Sequence, residues 1–152
     1  MYESWYGEKA KGQAGGIADT TLSRVESLTA GGNIAFGSLV KLGSDGKTVT
    51  ALTQASDIGA FAGVAVASQK EIYADGFGYH AGDVVPVLTF GDVFVKVEAD
   101  AKRGQVFTVA NAGEGGNTVK LTPVAVGTEN AFDKMMVVEN GSASDVVVAR
   151  VL

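Results

Sequence analysis

Glycine followed by a run with apolar residues at every second position is the feature that most restricts this chain. In Phe90-Gly-Asp-Val-Phe-Val-Lys-Val-Glu98, Val93, Val95 and Val97 share one face, and Phe94, Lys96 and Glu98 share the other. Only an extended strand gives that two-residue period, and one buried face accounts for the valines. A second glycine-led unit, Gly104-Gln-Val-Phe-Thr-Val109, follows closely. The chain contains 21 glycines and 2 prolines with no collagen period, which predicts many tight turns between short strands.

Other segments obey the same grammar. Residues 34–42 (IAFGSLVKL) and 47–52 (KTVTAL) flank Gly43-Ser-Asp-Gly46, and an Asp-Gly pair between two apolar-patterned runs predicts a hairpin. The layout recurs around Ala112-Gly-Glu-Gly-Gly116, which separates Gly104–Val109 from Asn117-Thr-Val-Lys-Leu-Thr122. Two hairpins of similar design account for this weak internal repeat, which is too irregular for a solenoid. Strand-like runs also occupy Phe61–Ala67, Asp83–Thr89 and Asp145–Leu152. Short helical turns are expected at Thr53–Gly59 and Thr128–Met136. Pro86 and Pro123 each interrupt an apolar run; having no N–H to give a ladder, they are expected at sheet edges or at strand starts.

The expected fold is all-β: a compact β-barrel or jelly-roll-like sandwich with an extended N-terminal arm. With 152 residues, residues 21–152 suffice for one β domain with its own core. Residues 1–20 stand apart as a flexible arm, with Tyr2, Trp5 and Tyr6 ahead of the glycine-rich run Gly12–Gly16. Such aromatics either fold back on the chain's own body or order when they meet a partner.

Few residues are equipped for chemistry. Cysteine is absent, so no disulfide or thiolate metal site can form. His80 is the sole histidine and sits in Gly76-Phe-Gly-Tyr-His-Ala-Gly82, where a structural or surface role is expected rather than that of a general base. This glycine pattern runs into the strand-like Asp83-Val-Val-Pro-Val87, whereas a dinucleotide loop must open a helix. Gly113–Gly116 lacks a Gly-Lys-Ser/Thr ending. The carboxylates Asp75, Asp83, Asp92, Glu98 and Asp100 have no EF-hand spacing, and a glycosidase would need two of them facing across a cleft. The expectation is no enzyme, no cofactor and no metal.

The formal charge of −5 and the absence of basic clusters argue against a nucleic-acid partner. No apolar run is long enough to cross a bilayer as a helix, and the first residues lack the apolar core of a signal peptide, so a cytoplasmic, non-secreted product is expected.

The run Gly91-Asp-Val-Phe-Val-Lys-Val-Glu-Ala-Asp-Ala-Lys-Arg-Gly-Gln-Val-Phe-Thr-Val109 resembles the centre of the structural cement, or capsid decoration, proteins of tailed bacteriophages. Ala30-Gly-Gly-Asn-Ile-Ala-Phe-Gly-Ser-Leu-Val40 and Phe61-Ala-Gly-Val-Ala-Val66 are similar to the family's upstream layout. The resemblance implies a non-enzymatic β-protein of the virion that binds the outer surface of the head and bridges major capsid protein subunits. It also implies self-association, a homotrimer in preference to a homodimer. Tyr2, Trp5 and Tyr6 are the residues expected to contact the capsid. Two other readings stay open: another virion β-protein, such as a tail-tube or head-fibre component, and a carbohydrate-binding β-domain that stacks sugars on Trp5 or on the Tyr73–Tyr79 loop.

Overall fold

A computed structural model describes residues 13–68, 72–114, 116–143 and 146–152, the side chains of residues 19–22 excepted. Nine strands occur among them: β1 (Ile17–Ala30), β2 (Leu39–Leu42), β3 (Thr48–Ala51), β4 (Phe61–Ala65), β5 (Val84–Lys96), β6 (Val106–Ala110), β7 (Lys120–Val124), β8 (Met135–Val137) and β9 (Val146–Val151). The helical turn expected at Thr53–Gly59 is a 3-10 helix, Ala55–Ala60. The one expected at Thr128–Met136 is instead a pair of turns with Asn130 at φ 61°, leading into β8.

The main sheet runs β1-β3-β2-β4-β5, and β1 also pairs with β5, so these five strands close into a barrel. From β5 the sheet continues outward to β9 and β8, while β6 and β7 form a separate hairpin. The Gly43–Gly46 turn joins β2 to β3 as expected, with Leu42 opposite Val49. Asp45 fixes it by accepting bonds from the Lys47 and Thr48 N–H groups and the Thr48 hydroxyl. The second hairpin docks on the first, because Val119 N–H donates to the Leu52 carbonyl and Ala112 N–H to that of Thr53.

Two apolar cores share a wall. One contains Leu28, Ala30, Val40, Val49, Ala65, Val85 and Val87. Every barrel strand contributes to it, so it fills the barrel, and Ile34, Phe36 and Tyr79 plug one end. The other core gathers Leu39, Val64 and Leu88 from the outer face of β2, β4 and β5 with Phe107, Leu121, Met135, Val137, Ala149 and Val151. Neighbouring residues therefore serve opposite sides: Val40 points in and Leu39 out, Ala65 in and Val64 out, Val87 in and Leu88 out. Val93, Val95 and Val97 are buried in the outer core, as their alternation requires.

Asp83–Thr89 and Val93–Val97, which read as separate runs, belong largely to one long strand. β5 passes through Gly91 at φ 129°, and the face buried changes parity between Leu88 and Val93. Pro123 lies on the outlying hairpin, as a proline should. Pro86 does not lie at an edge: it pairs with Ser27 of β1 inside the barrel wall. On its other side it faces Val66, one residue past the end of β4. Val66 N–H donates to the Pro86 carbonyl, and the Val66 carbonyl, which proline cannot serve, accepts the Tyr79 hydroxyl at 2.6 Å.

Candidate functional site

Tyr2, Trp5 and Tyr6 lie outside the described residues. Residues 13–16 of the expected arm form a turn, closed by Gly16 N–H to the Gln13 carbonyl, and residues 17–20 open β1. Gly15 N–H donates to the Phe94 carbonyl, Phe94 N–H to that of Gly16, and Ala67 N–H to that of Gly15. Gly37 lets this turn sit close, since a Cβ there would stand 2.6 Å from that of Ala14. Beside the turn is a cavity of about 490 Å³ whose walls include Ala14, Phe36, Val95, Lys96, Thr118 and Lys120.

His80 is part of a polar clasp on the loop ahead of β5. Its ring stacks on Tyr73 with centroids 3.7 Å apart and planes 8° from parallel, and its Nε2 lies 2.8 Å from the Asp75 carboxylate. Asp83 accepts both the Tyr73 hydroxyl and the His80 backbone N–H. The Asp75 carboxyl is held below its ordinary range, chiefly by the Phe77 N–H and then by His80. Each polar group is thus used to close the loop, and among the described residues no serine or threonine hydroxyl bonds to the imidazole. Tyr79 of the same loop is buried, so it offers no stacking face to a sugar. That removes half of the carbohydrate platform considered above.

The remaining carboxylates are dispersed in their roles. Asp92 is buried and receives two bonds from the Arg150 guanidinium, at 2.7 and 3.2 Å. Asp100 accepts the Ala143 N–H. Among the described residues no group of three or more His, Asp or Glu side chains could hold a metal ion, and no helix is long and apolar enough to cross a membrane.

What the surface offers is contact area. Sheet edges are largely spoken for: the β7 edge carries Pro123 and its Leu121 carbonyl accepts Glu98 N–H. Along β8, Val137 exchanges bonds with Gly104 and Gln105. The exception is β1. It meets β3 only at Thr29 and Ala30, so from Ile17 to Leu28 one edge has no neighbouring strand among the described residues. Ser23 to Ser27 are exposed on both faces, and the apolar Val25, Phe90 and Val84 lie open on and beside this strand. Hydrophobic periodicity does not mark it as a strand, because a strand bare on both faces has no alternation to read.

The fold is thus a closed β-barrel that shares a wall with a second core, and the polar groups described above serve its turns and loops. The chain belongs to the structural cement protein family: the family model described as "Structural cement protein (E217 gp24/Pam3 gp6)" matches residues 2–151. It is a phage head cement protein, a structural component of the virion. Among solved structures, a chain in the capsid of Myoviridae phage XM1 shares the fold, with a TM-score of 0.66 at 19% identity over 92% of this chain and 89% of that one. The N base of the bacteriophage phi29 head fibre gp8.5 is a more distant likeness, with a TM-score of 0.48 and 14% identity over 86% and 95%. No curated protein matches the chain.

Proposed function

We propose that this protein binds the outer surface of the assembled head and bridges neighbouring major capsid protein subunits, contributing adhesive area and no catalytic group. The observation that carries this reading is the extent of the family match. It runs from residue 2 to residue 151, so the aromatic N-terminal segment and the barrel fall within one family pattern. Tyr2, Trp5 and Tyr6 supply the anchors, since aromatic side chains bury large areas at low entropic cost. The barrel supplies the rigid body to which that segment is joined. Self-association, as trimer or dimer, multiplies modest contacts through effective concentration, so each copy need bind only weakly.

Purified empty heads, before and after expansion, test this by co-sedimentation. The full chain is expected to pellet with heads, and a form lacking residues 1–12, or carrying Tyr2→Ala, Trp5→Ala and Tyr6→Ala together, is expected to remain in solution. A full chain that stays in the supernatant with both forms of the head overturns the proposal. Retention of the truncated form overturns the role of the arm.

A further inference from the structure

The open edge of β1 has a sequence that reads as its own complement. Thr21-Leu-Ser-Arg-Val-Glu-Ser-Leu-Thr29, read backwards, is the same string with Arg and Glu exchanged. We propose that this edge is the seat of a second copy of the chain, paired antiparallel about a two-fold axis through Val25. The inference deepens the self-association within the proposed function and selects the dimer over the trimer.

The backbone phase supports that register. Thr29 N–H points toward β3, donating to the Lys47 carbonyl, whereas Ala30 N–H points toward β5 and donates to the Asp83 carbonyl. Amides alternate in direction along a regular strand, and β1 pairs with β5 without a break from Val25 to Thr29, so Ser27 and Val25 aim N–H and C=O at the open side. The Arg24 carbonyl, of the other phase, accordingly accepts the Thr89 hydroxyl from β5. Centring the pair on Val25 sets Val25 against Val25 in a hydrogen-bonded position and brings Ser23, which lies beside the register shift between Asp19 and Arg24, against Ser27 of the second copy. Arg24 then falls opposite Glu26 of the second copy, in the closer non-hydrogen-bonded position where side chains interact most. Arg24 and Glu26 already lie 3.4 Å apart within one chain, so two copies interleave their charges without juxtaposing like signs. A parallel arrangement in the same register sets arginine against arginine.

The pairing stops itself. Beyond Ser27 the next outward residue, Thr29, is occupied by β3. An isologous contact uses the same edge on both partners and leaves none to propagate. Between Ile17 and Ala30 there is neither proline nor lysine, two of the devices by which natural edges repel a partner, and the bulges of β1 against β5, a third, leave Val25 to Thr29 regular.

The test exploits the absence of cysteine. The full chain, measured by light scattering during size exclusion, is expected to have twice the mass of a 15.5 kDa monomer. Val25→Cys alone is expected to form a disulfide-linked dimer on mild oxidation, because opposed residues of a hydrogen-bonded pair lie about 5.5 Å apart at Cα, within disulfide reach. Ser23→Cys is expected to cross-link only when mixed with Ser27→Cys. Arg24→Glu and Glu26→Arg are each expected to be monomeric, and an equimolar mixture of the two is expected to restore a dimer, which no contact within one chain could do. A monomeric or trimeric parent, a dimer that resists cross-linking at Val25, or a mixture that stays monomeric overturns the pairing. So does a parent that dimerises only after removal of residues 1–12, since the chain's own N-terminal segment would then cover the edge. Head binding by a monomeric parent defeats this inference alone, whereas a dimer that ignores heads defeats the proposed function alone.

Discussion

The Tyr79 hydroxyl completes a strand pair that Pro86 leaves open, donating at 2.6 Å to the Val66 carbonyl opposite the proline. The same ring plugs the barrel and meets Phe36 edge-to-face at 5.3 Å. Tyr79→Phe keeps the plug and removes only the bond, leaving a buried carbonyl short of a donor. A loss of about 1–2 kcal/mol in unfolding free energy is expected from denaturant titration.

Gly63 packs tightly against β5, since a Cβ there would collide with the Leu88 carbonyl oxygen and crowd a Val87 methyl at 2.7 Å. Neither can withdraw without parting the wall between the cores. Gly63→Ala is expected to cost more than about 2 kcal/mol in thermal or chemical unfolding. Gly59→Ala, where nothing lies within 4 Å, serves as the near-neutral control.

Asp45 in the β2–β3 turn has its carboxyl lowered to about 2, first by the Thr48 hydroxyl and then by the Lys47 and Thr48 N–H groups. A carboxyl depressed in the folded state stabilises it fully above its unfolded value, near pH 4, and that contribution fades as pH falls toward 2. The difference in stability between the parent and Asp45→Ala, followed across that window, is expected to be constant above pH 5 and to shrink on acidification. A difference that grows with acid would have the wrong sign.

Asp92 is buried while its partner Arg150 is half-exposed, so removing either has unequal effects. Arg150→Ala strands a carboxylate in the wall between β5 and β9, at an expected cost of about 1–3 kcal/mol by equilibrium unfolding. Replacing both residues with apolar ones is expected to cost less than the single change.

Much of this fold can be read in the chain because its strands are half-buried. Val93, Val95 and Val97 alternate since one side meets a core, and the Asp45-Gly46 turn names its own geometry. Closure into a barrel is illegible because it depends on β1, where Ser, Thr and isolated charges occupy both faces and no period survives. Pro86 misleads for a related reason: the rule that prolines avoid sheet interiors assumes no substitute donor, and Tyr79 provides one from a distant loop. The placement of Tyr73 and His80 in one clasp, and the bare edge of β1, required the tertiary pairing of segments far apart in sequence.

Leu39 and Val40, Val64 and Ala65, and Val87 and Leu88 each split their loyalties between the two cores. Drawing such a wall out of register strips both interiors together, so neither half can peel away while the other holds. In the bridging role proposed above, such a molecule yields in one step or not at all, with no slack intermediate to let the seam creep.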